Sequence, residues 1–197
     1  MQLLARRHHS RAVLGLLGLF LSAWLAMPAT ASADAPTEPE VKAVFVYNFG
    51  KFVKWPESEY SDETRTERPF VIGVLGEDPV GDALDRLVAN HVVQGRHVSV
   101  SRFASMKDYL PCDILFIASS ETGDLKTILK SVQGSSTLTV SDVPHFTERG
   151  GMFGFQTENS RVRFEVNLGS AQSAGLTVSS QLLKLARNVI GQRKAEQ

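Results

Sequence analysis

Apolar positions along the chain follow two patterns that alternate between residues 40 and 141. In some segments they recur every three or four residues, which predicts helices, and in the segments between they form short runs or alternate, which predicts strands. The predicted helices are 40–55, 79–89 and 123–132, and the predicted strands are 70–75, 97–103, 112–118 and 137–140. Strands that alternate with helices indicate an α/β fold with a largely parallel sheet.

The last third of the chain has a different pattern. Two strands are predicted at 152–157 and 162–166, and Asn159-Ser160 between them is typical of a hairpin turn. A long helix is predicted from about Ser170 to Ile190, because its apolar residues form one stripe. Together the elements predict one α/β domain at 40–192 whose sheet is mostly parallel, with helices on both faces and an antiparallel hairpin at the C-terminal edge.

The segment before this domain has the three parts of a secretory signal peptide. It begins with a basic stretch that contains no acid, continues with an apolar run from Ala12 to Met27, and ends with small residues up to Ala31-Ser32-Ala33. Residues 1–33 are therefore predicted to direct export and to be removed by cleavage between Ala33 and Asp34. The alternative is an uncleaved anchor, since the apolar run approaches the length of a membrane span.

Cleavage would change the charge of the chain. Residues 1–33 hold three of its 21 basic residues and none of its 21 acidic residues, so the 164 residues that follow have a net charge of −3 with neutral histidines. A mildly acidic surface disfavours nucleic acid and anionic lipid, and we expect neither as a partner. No later apolar segment is long enough to span a membrane, so no membrane insertion is expected after cleavage. Short polar segments at 34–39 and 193–197 flank the domain as a leader and a tail.

Motifs for catalysis or metal binding are missing from the sequence after residue 33. His91, His97 and His145 are not paired with one another or with a cysteine at the spacing of metal ligands. The glycines after the first strand match neither a dinucleotide-binding loop nor a P-loop, and no pair of acids is marked out for acid–base chemistry. We therefore expect a protein that is not an enzyme and that holds no cofactor and no metal.

Cys112 is the only cysteine of the chain, so no disulfide can form within one molecule. It begins the apolar run at 112–118, which favours a buried side chain. The alternative is an exposed thiol that reacts or links two copies of the chain.

Two segments are candidates for binding a partner. The aromatic-rich helix at 40–55 favours core packing, with a groove at its end as the alternative. Around Gly150-Gly151, an exposed sticky surface and burial under the sheet are equally supported. The candidate groove residues are Asn48, Lys51 and Trp55, and the candidate surface residues are Phe146, Met152, Phe153 and Phe155.

A series of short motifs, in order along the chain, resembles the YfiR family. The resemblance begins with Val41 to Pro56, which is similar to the opening signature of that family. Each later match is short, but together the matches extend across almost the whole domain. They are 76–79, 112–117, 138–142, 150–152, 161–167 and 174–186.

The resemblance implies a non-catalytic α/β protein of the periplasm. Such a protein would bind the periplasmic sensor domain of a membrane-bound diguanylate cyclase of the YfiN type, keep the cyclase inactive, and so lower cyclic di-GMP signalling and biofilm formation. A small-ligand sensor that passes its signal to a kinase or cyclase, and an enzyme with an unfamiliar site, are the alternatives. Self-association into a homodimer is left open.

The resemblance also bears on the cysteines. Relatives often carry cysteines where Gly73, Thr147 and Gly154 stand in this sequence, and Cys112 corresponds to the one that is retained. Disulfide-based control of the kind that such relatives use is therefore not expected here.

Overall fold

The structure of the protein is a computed structural model that describes residues 35–56 and 68–191. The predicted signal peptide, its cleavage site at Ala33 and Asp34, and the polar tail lie outside the described residues. Among the described residues, no helix combines the length and the apolar character that a membrane crossing requires. The helices are α1 (Glu38–Phe52), α2 (Gly81–Val88), α3 (Leu125–Ser131), α4 (Leu168–Ser173) and α5 (Ser180–Leu185). The strands are β1 (Val53–Lys54), β2 (Phe70–Leu75), β3 (Val92–Val93), β4 (Arg96–Phe103), β5 (Ile114–Ile117), β6 (Leu138–Ser141), β7 (Phe153–Glu158), β8 (Arg161–Asn167), β9 (Thr177–Val178) and β10 (Asn188–Ile190).

The main sheet is mostly parallel, as the alternation of strands and helices predicts. Within the described residues it has eight strands in the order β10-β8-β7-β6-β5-β2-β4-β3. The five strands from β7 to β4 are parallel to one another. The predicted hairpin is confirmed, since β7 and β8 pair antiparallel, and both turn residues, Asn159 and Ser160, have positive φ angles of 48° and 59°.

Helices cover both faces of the sheet, and this explains why the apolar run of β5 is continuous. Successive side chains of a strand point to opposite faces. Ile114 and Phe116 accordingly belong to the core under α1 and α2, while Leu115 and Ile117 belong to a second core under α3. A strand that is covered on both faces needs apolar residues at every position.

The first helix ends three residues earlier than the pattern predicts. Its start is fixed by the backbone N–H of Thr37, which donates to Oε2 of Glu40 over 2.8 Å, an arrangement typical of a helix N-terminus. Its end is fixed by pairing, because Val53 and Lys54 form an antiparallel ladder with Val178 and Thr177. The prediction of helix up to Trp55 is therefore wrong, and long-range strand pairing is the reason.

The predicted long helix at 170–190 is also wrong. Helix α4 ends at Ser173, and Gly175 then has a positive φ of 75°. A new helix, α5, begins after Ser179, whose hydroxyl oxygen accepts from the N–H of Leu182 over 3.2 Å. The last turn of the predicted helix is instead strand β10. This strand pairs parallel with β8 and lies outside the hairpin, at the edge of the sheet.

Candidate functional site

The four side chains that the sequence suggests as an exposed partner-binding surface are buried. Phe146, Phe153 and Phe155 are exposed by 3% or less, and Met152 by 9%. The exposed-surface interpretation of these residues is therefore wrong, and the alternative, burial under the sheet, is what the structure has.

Aromatic packing explains this burial. The ring of Phe153 meets that of Phe49 of α1 edge-on, with centroids 4.7 Å apart, and Phe155 lies 5.8 Å from Phe49. Gly151 is required because the ring of Phe146 occupies the space that a Cβ would take. The packing of Phe146 and Phe153 in the core thus explains the small residue at Gly151.

The candidate groove residues Asn48, Lys51 and Trp55 make different local contacts. The side-chain N–H of Asn48 donates to the carbonyl of Val44 over 2.9 Å, along α1 itself. Trp55 is half-buried beyond the end of the helix, with its ring edge-on to Phe70 at 5.2 Å. Its Nε1 is buried and has no hydrogen-bond partner among the described residues.

Asn48 and Lys51 instead belong to an outward surface, which we call the α1 face: Val44, Tyr47, Asn48, Lys51 and Val92. The ammonium group of Lys51 lies 5.4 Å from the centre of the Tyr47 ring, and the Tyr47 hydroxyl donates a long hydrogen bond of 3.5 Å to the carbonyl of Val92. Val44 is 45% exposed and Val92 is 51% exposed. The α1 face therefore combines two solvent-exposed aliphatic side chains with an aromatic ring and a cation.

A second open site lies between α3, the turn before β7, and α4. This groove has a volume of about 1060 Å³. Lys126, Lys130 and Arg149 line it, and none of its lining residues in the described part of the chain is Asp or Glu; we call it the basic groove. Sequence reasoning missed it, although Lys126 and Lys130 stand four residues apart on a predicted helix, a spacing that puts both on one side.

Two of the three histidines in the domain contact a neighbouring side chain. His91 lies edge-on to the Tyr47 ring at 5.1 Å, and Nδ1 of His145 lies 3.3 Å from a carboxylate oxygen of Glu148. In the described part of the chain, no three His, Cys, Asp or Glu side chains come together as metal ligands would.

Cys112 packs against the second core beside Phe103 and Tyr109. Burial raises the pKa of its thiol to about 12, although a hydrogen bond with Tyr109 acts in the opposite direction. Its sulfur lies 2.9 Å from the place where a Cβ on Gly73 would stand. A Cβ on Gly154 would likewise lie 3.4 Å from Cγ2 of Thr147, so the four cysteine positions that the family resemblance picks out are adjacent in two pairs.

Comparisons with known proteins identify a family and a fold. Residues 39–187 match the profile of a family described as YfiR/HmsC-like, and no curated protein matches the chain. A crystal structure of a "conserved domain protein" from Vibrio cholerae is similar, with a TM-score of 0.52 and 11% sequence identity over 78% of this chain. The chain spans 60% of the length of that protein, and at this identity the likeness concerns the fold alone.

Proposed function

The chain belongs to the YfiR/HmsC-like family, and from this premise we propose that it is a non-catalytic periplasmic regulator that binds the periplasmic sensor domain of a membrane-bound diguanylate cyclase and holds the cyclase inactive. The observation that carries the proposal is the family match over residues 39–187, which extends from the first turn of α1 to the residue before β10. Cyclic di-GMP output, and with it biofilm formation, would fall when the protein is bound.

Restraint of this kind requires no chemistry by the bound protein. A ligand shifts a conformational equilibrium only by binding one state more tightly than the other. The protein would therefore bind the inactive form of the sensor domain more tightly than the active form. Release of the protein would return the cyclase to its own equilibrium.

The α1 face is the part of the described surface that we propose as the contact. Protein interfaces favour aromatic and aliphatic side chains at the centre with polar groups around them. Val44 and Tyr47 supply such a centre, and Lys51 and Asn48 flank it. The proposed occupant of this face is the sensor domain itself.

The test is capture of the sensor domain by purified protein and variants, with cyclase activity measured in membrane vesicles. We expect Val44→Asp to weaken capture by about tenfold or more, because a charge at the centre of an interface is desolvated on binding. Leu110→Asp is the matched control, since Leu110 is an exposed aliphatic residue, 65% exposed, outside the α1 face. If wild-type protein neither captures a sensor domain nor lowers cyclase activity, the proposed function is wrong. If both variants capture the domain equally, the function stands and the α1 face is not the contact.

A further inference from the structure

The basic groove differs from the rest of the molecule in charge. Among the described residues, those that line it include three cations and no acid, whereas the chain after residue 33 is acidic overall. Lys126 and Lys130 lie on neighbouring positions of α3, where like charges repel each other. A concentration of positive charge in a concave site raises the local concentration of anions.

These cations are not neutralised by the described part of the chain. The ion pairs found there join other residues, and none involves Lys126, Lys130 or Arg149. Arg149 donates one N–H to the carbonyl of Thr122 over 3.2 Å. A guanidinium group has five N–H donors, so others remain for a ligand.

The three serine hydroxyl groups that line the groove are already used as donors. Ser170 donates to the carbonyl of Gly150 over 3.0 Å, and Ser173 donates to that of Gly169 over 2.8 Å. Ser135 donates to the carbonyl of Val132 over 2.7 Å. The charged groups of the groove among the described residues are therefore its three cations, and these favour an anion.

The fold holds the walls of the groove in place. The side-chain amide of Asn167 donates to the carbonyl of Thr147 over 2.9 Å, and its oxygen accepts from the N–H of Ser170 over 3.0 Å. Gly191 has a positive φ of 72°, and a Cβ there would lie 2.8 Å from the nitrogen of Gly169. This close approach joins the end of β10 to the start of α4, so that wall is preformed.

We propose that the basic groove binds a small organic anion that carries at least two negative charges, on phosphate or carboxylate groups, and an apolar body. The charges match the three cations. The apolar body matches Leu129, Val132 and Met152, which also line the groove. A volume of about 1060 Å³ is at the upper end of the usual range for small-molecule sites, roughly 300–1,000 Å³, and exceeds the needs of an inorganic ion. Binding of this anion does not depend on the proposed restraint of a cyclase.

Calorimetric titration of the purified protein tests the proposal with four probes: inorganic phosphate, phenyl phosphate, benzene-1,3-dicarboxylate and the uncharged benzyl alcohol. We expect both aromatic anions to bind, phenyl phosphate to bind more tightly than inorganic phosphate, and benzyl alcohol not to bind. The two aromatic anions distinguish phosphate from carboxylate as the preferred group. Binding should weaken as salt rises, because exposed charges are screened.

Variants locate the site. Lys126→Gln with Lys130→Gln should weaken binding of phenyl phosphate by about tenfold or more, and Arg149→Gln should do the same. Lys184→Gln is the matched control, because Lys184 is exposed on α5 and does not line the groove. Melting curves check that each variant is folded. The two lysines are both exposed, so their variant should fold and keeps the test valid if Arg149→Gln is unstable. Failure of both aromatic anions to bind at millimolar concentration overturns the proposal, as does binding that the lysine and arginine variants leave unchanged.

Discussion

At the scale of single residues, Cys112 shows how position decides chemistry. The sequence allows an exposed reactive thiol, but Cys112 is half-buried, and it packs against the second core beside Gly73. Because the thiolate is the nucleophile, a thiol whose pKa is raised to about 12 reacts slowly at neutral pH. The structure therefore places Cys112 between the two interpretations in exposure and favours packing over reactivity.

This burial predicts a stability that falls at alkaline pH. The thiol ionises near pH 9 when the chain is unfolded, and at about pH 12 when it is folded. Between these values the folded state binds more protons, so the free energy of unfolding should decrease with rising pH by about 1.4 kcal/mol per pH unit from this group. Below pH 9 the contribution is constant.

Urea denaturation between pH 7 and 11 measures this slope. The pKa of Tyr109 is also raised by burial, so the comparison is made between Tyr109→Phe and the double variant Tyr109→Phe with Cys112→Ala. We expect the double variant to lose less stability as the pH rises. Equal slopes in the two variants would show that the Cys112 thiol ionises freely in the folded protein.

At the scale of elements, β7 connects the sheet to α1 through aromatic rings. Phe153 has no exposed surface, and its ring contacts Phe49 and Phe164 at centroid distances of 4.7 and 6.3 Å. The sequence correctly predicts the strand, but it does not reveal which way this strand faces. Gly154 between the two phenylalanines puts both on the same face, and an apolar face suits a core and an interface equally well.

Phe153→Ala should therefore destabilise the fold. Truncation of a buried phenylalanine costs about 3–5 kcal/mol, because contacts are lost and a cavity remains. Arg163→Ala, an exposed position on the paired strand, should change stability by less than about 0.5 kcal/mol. Chemical denaturation followed by fluorescence measures both. A Phe153→Ala protein with nearly wild-type stability would contradict the core assignment.

At the scale of the whole molecule, prediction from sequence succeeds where one pattern has one physical meaning. The apolar run of β5 is typical of a covered strand, and Asn159-Ser160 is typical of a tight turn; the structure has both. The prediction of one long helix at 170–190 fails because the same spacing of apolar residues also suits two short helices and two short strands. Gly175 and Ser179 interrupt the segment between the two helices. The basic groove was missed because Arg149 joins Lys126 and Lys130 only after the chain has folded.

Because Gly73 lies next to Cys112, we predict that a disulfide can be introduced between these two positions. In Gly73→Cys, the new Cβ would lie 2.9 Å from the Cys112 sulfur, a distance that suits a disulfide. The bridge would close a loop of about 40 residues and, by restricting the unfolded chain, should stabilise the protein by about 2–4 kcal/mol. Some of this is offset by a shift of Phe103, whose ring lies equally close to the new Cβ.

Melting with and without reductant tests this effect. The oxidised Gly73→Cys protein should melt above the wild type and lose the gain on reduction. Gly73→Ala, which adds the Cβ without the sulfur, should be less stable than the wild type and insensitive to reductant. The wild-type monomer should also be insensitive, since Cys112 is its only cysteine. Two free thiols in Gly73→Cys after oxidation would refute the predicted geometry.

The strand order of the main sheet has a consequence for solubility. Its two outermost strands are its shortest, with two residues in β3 and three in β10, and the long strands β4 and β8 lie inside them. An unpaired strand edge is a template on which other chains can add, and short edge strands leave few free backbone groups for that purpose. The register limits what these short strands cover: β3 pairs with Arg96 and His97 of β4, and β10 pairs with Glu165 to Asn167 of β8. Removal of β10 would therefore expose the backbone groups of the last three residues of β8, on which another strand could add, and should make the protein more prone to aggregate.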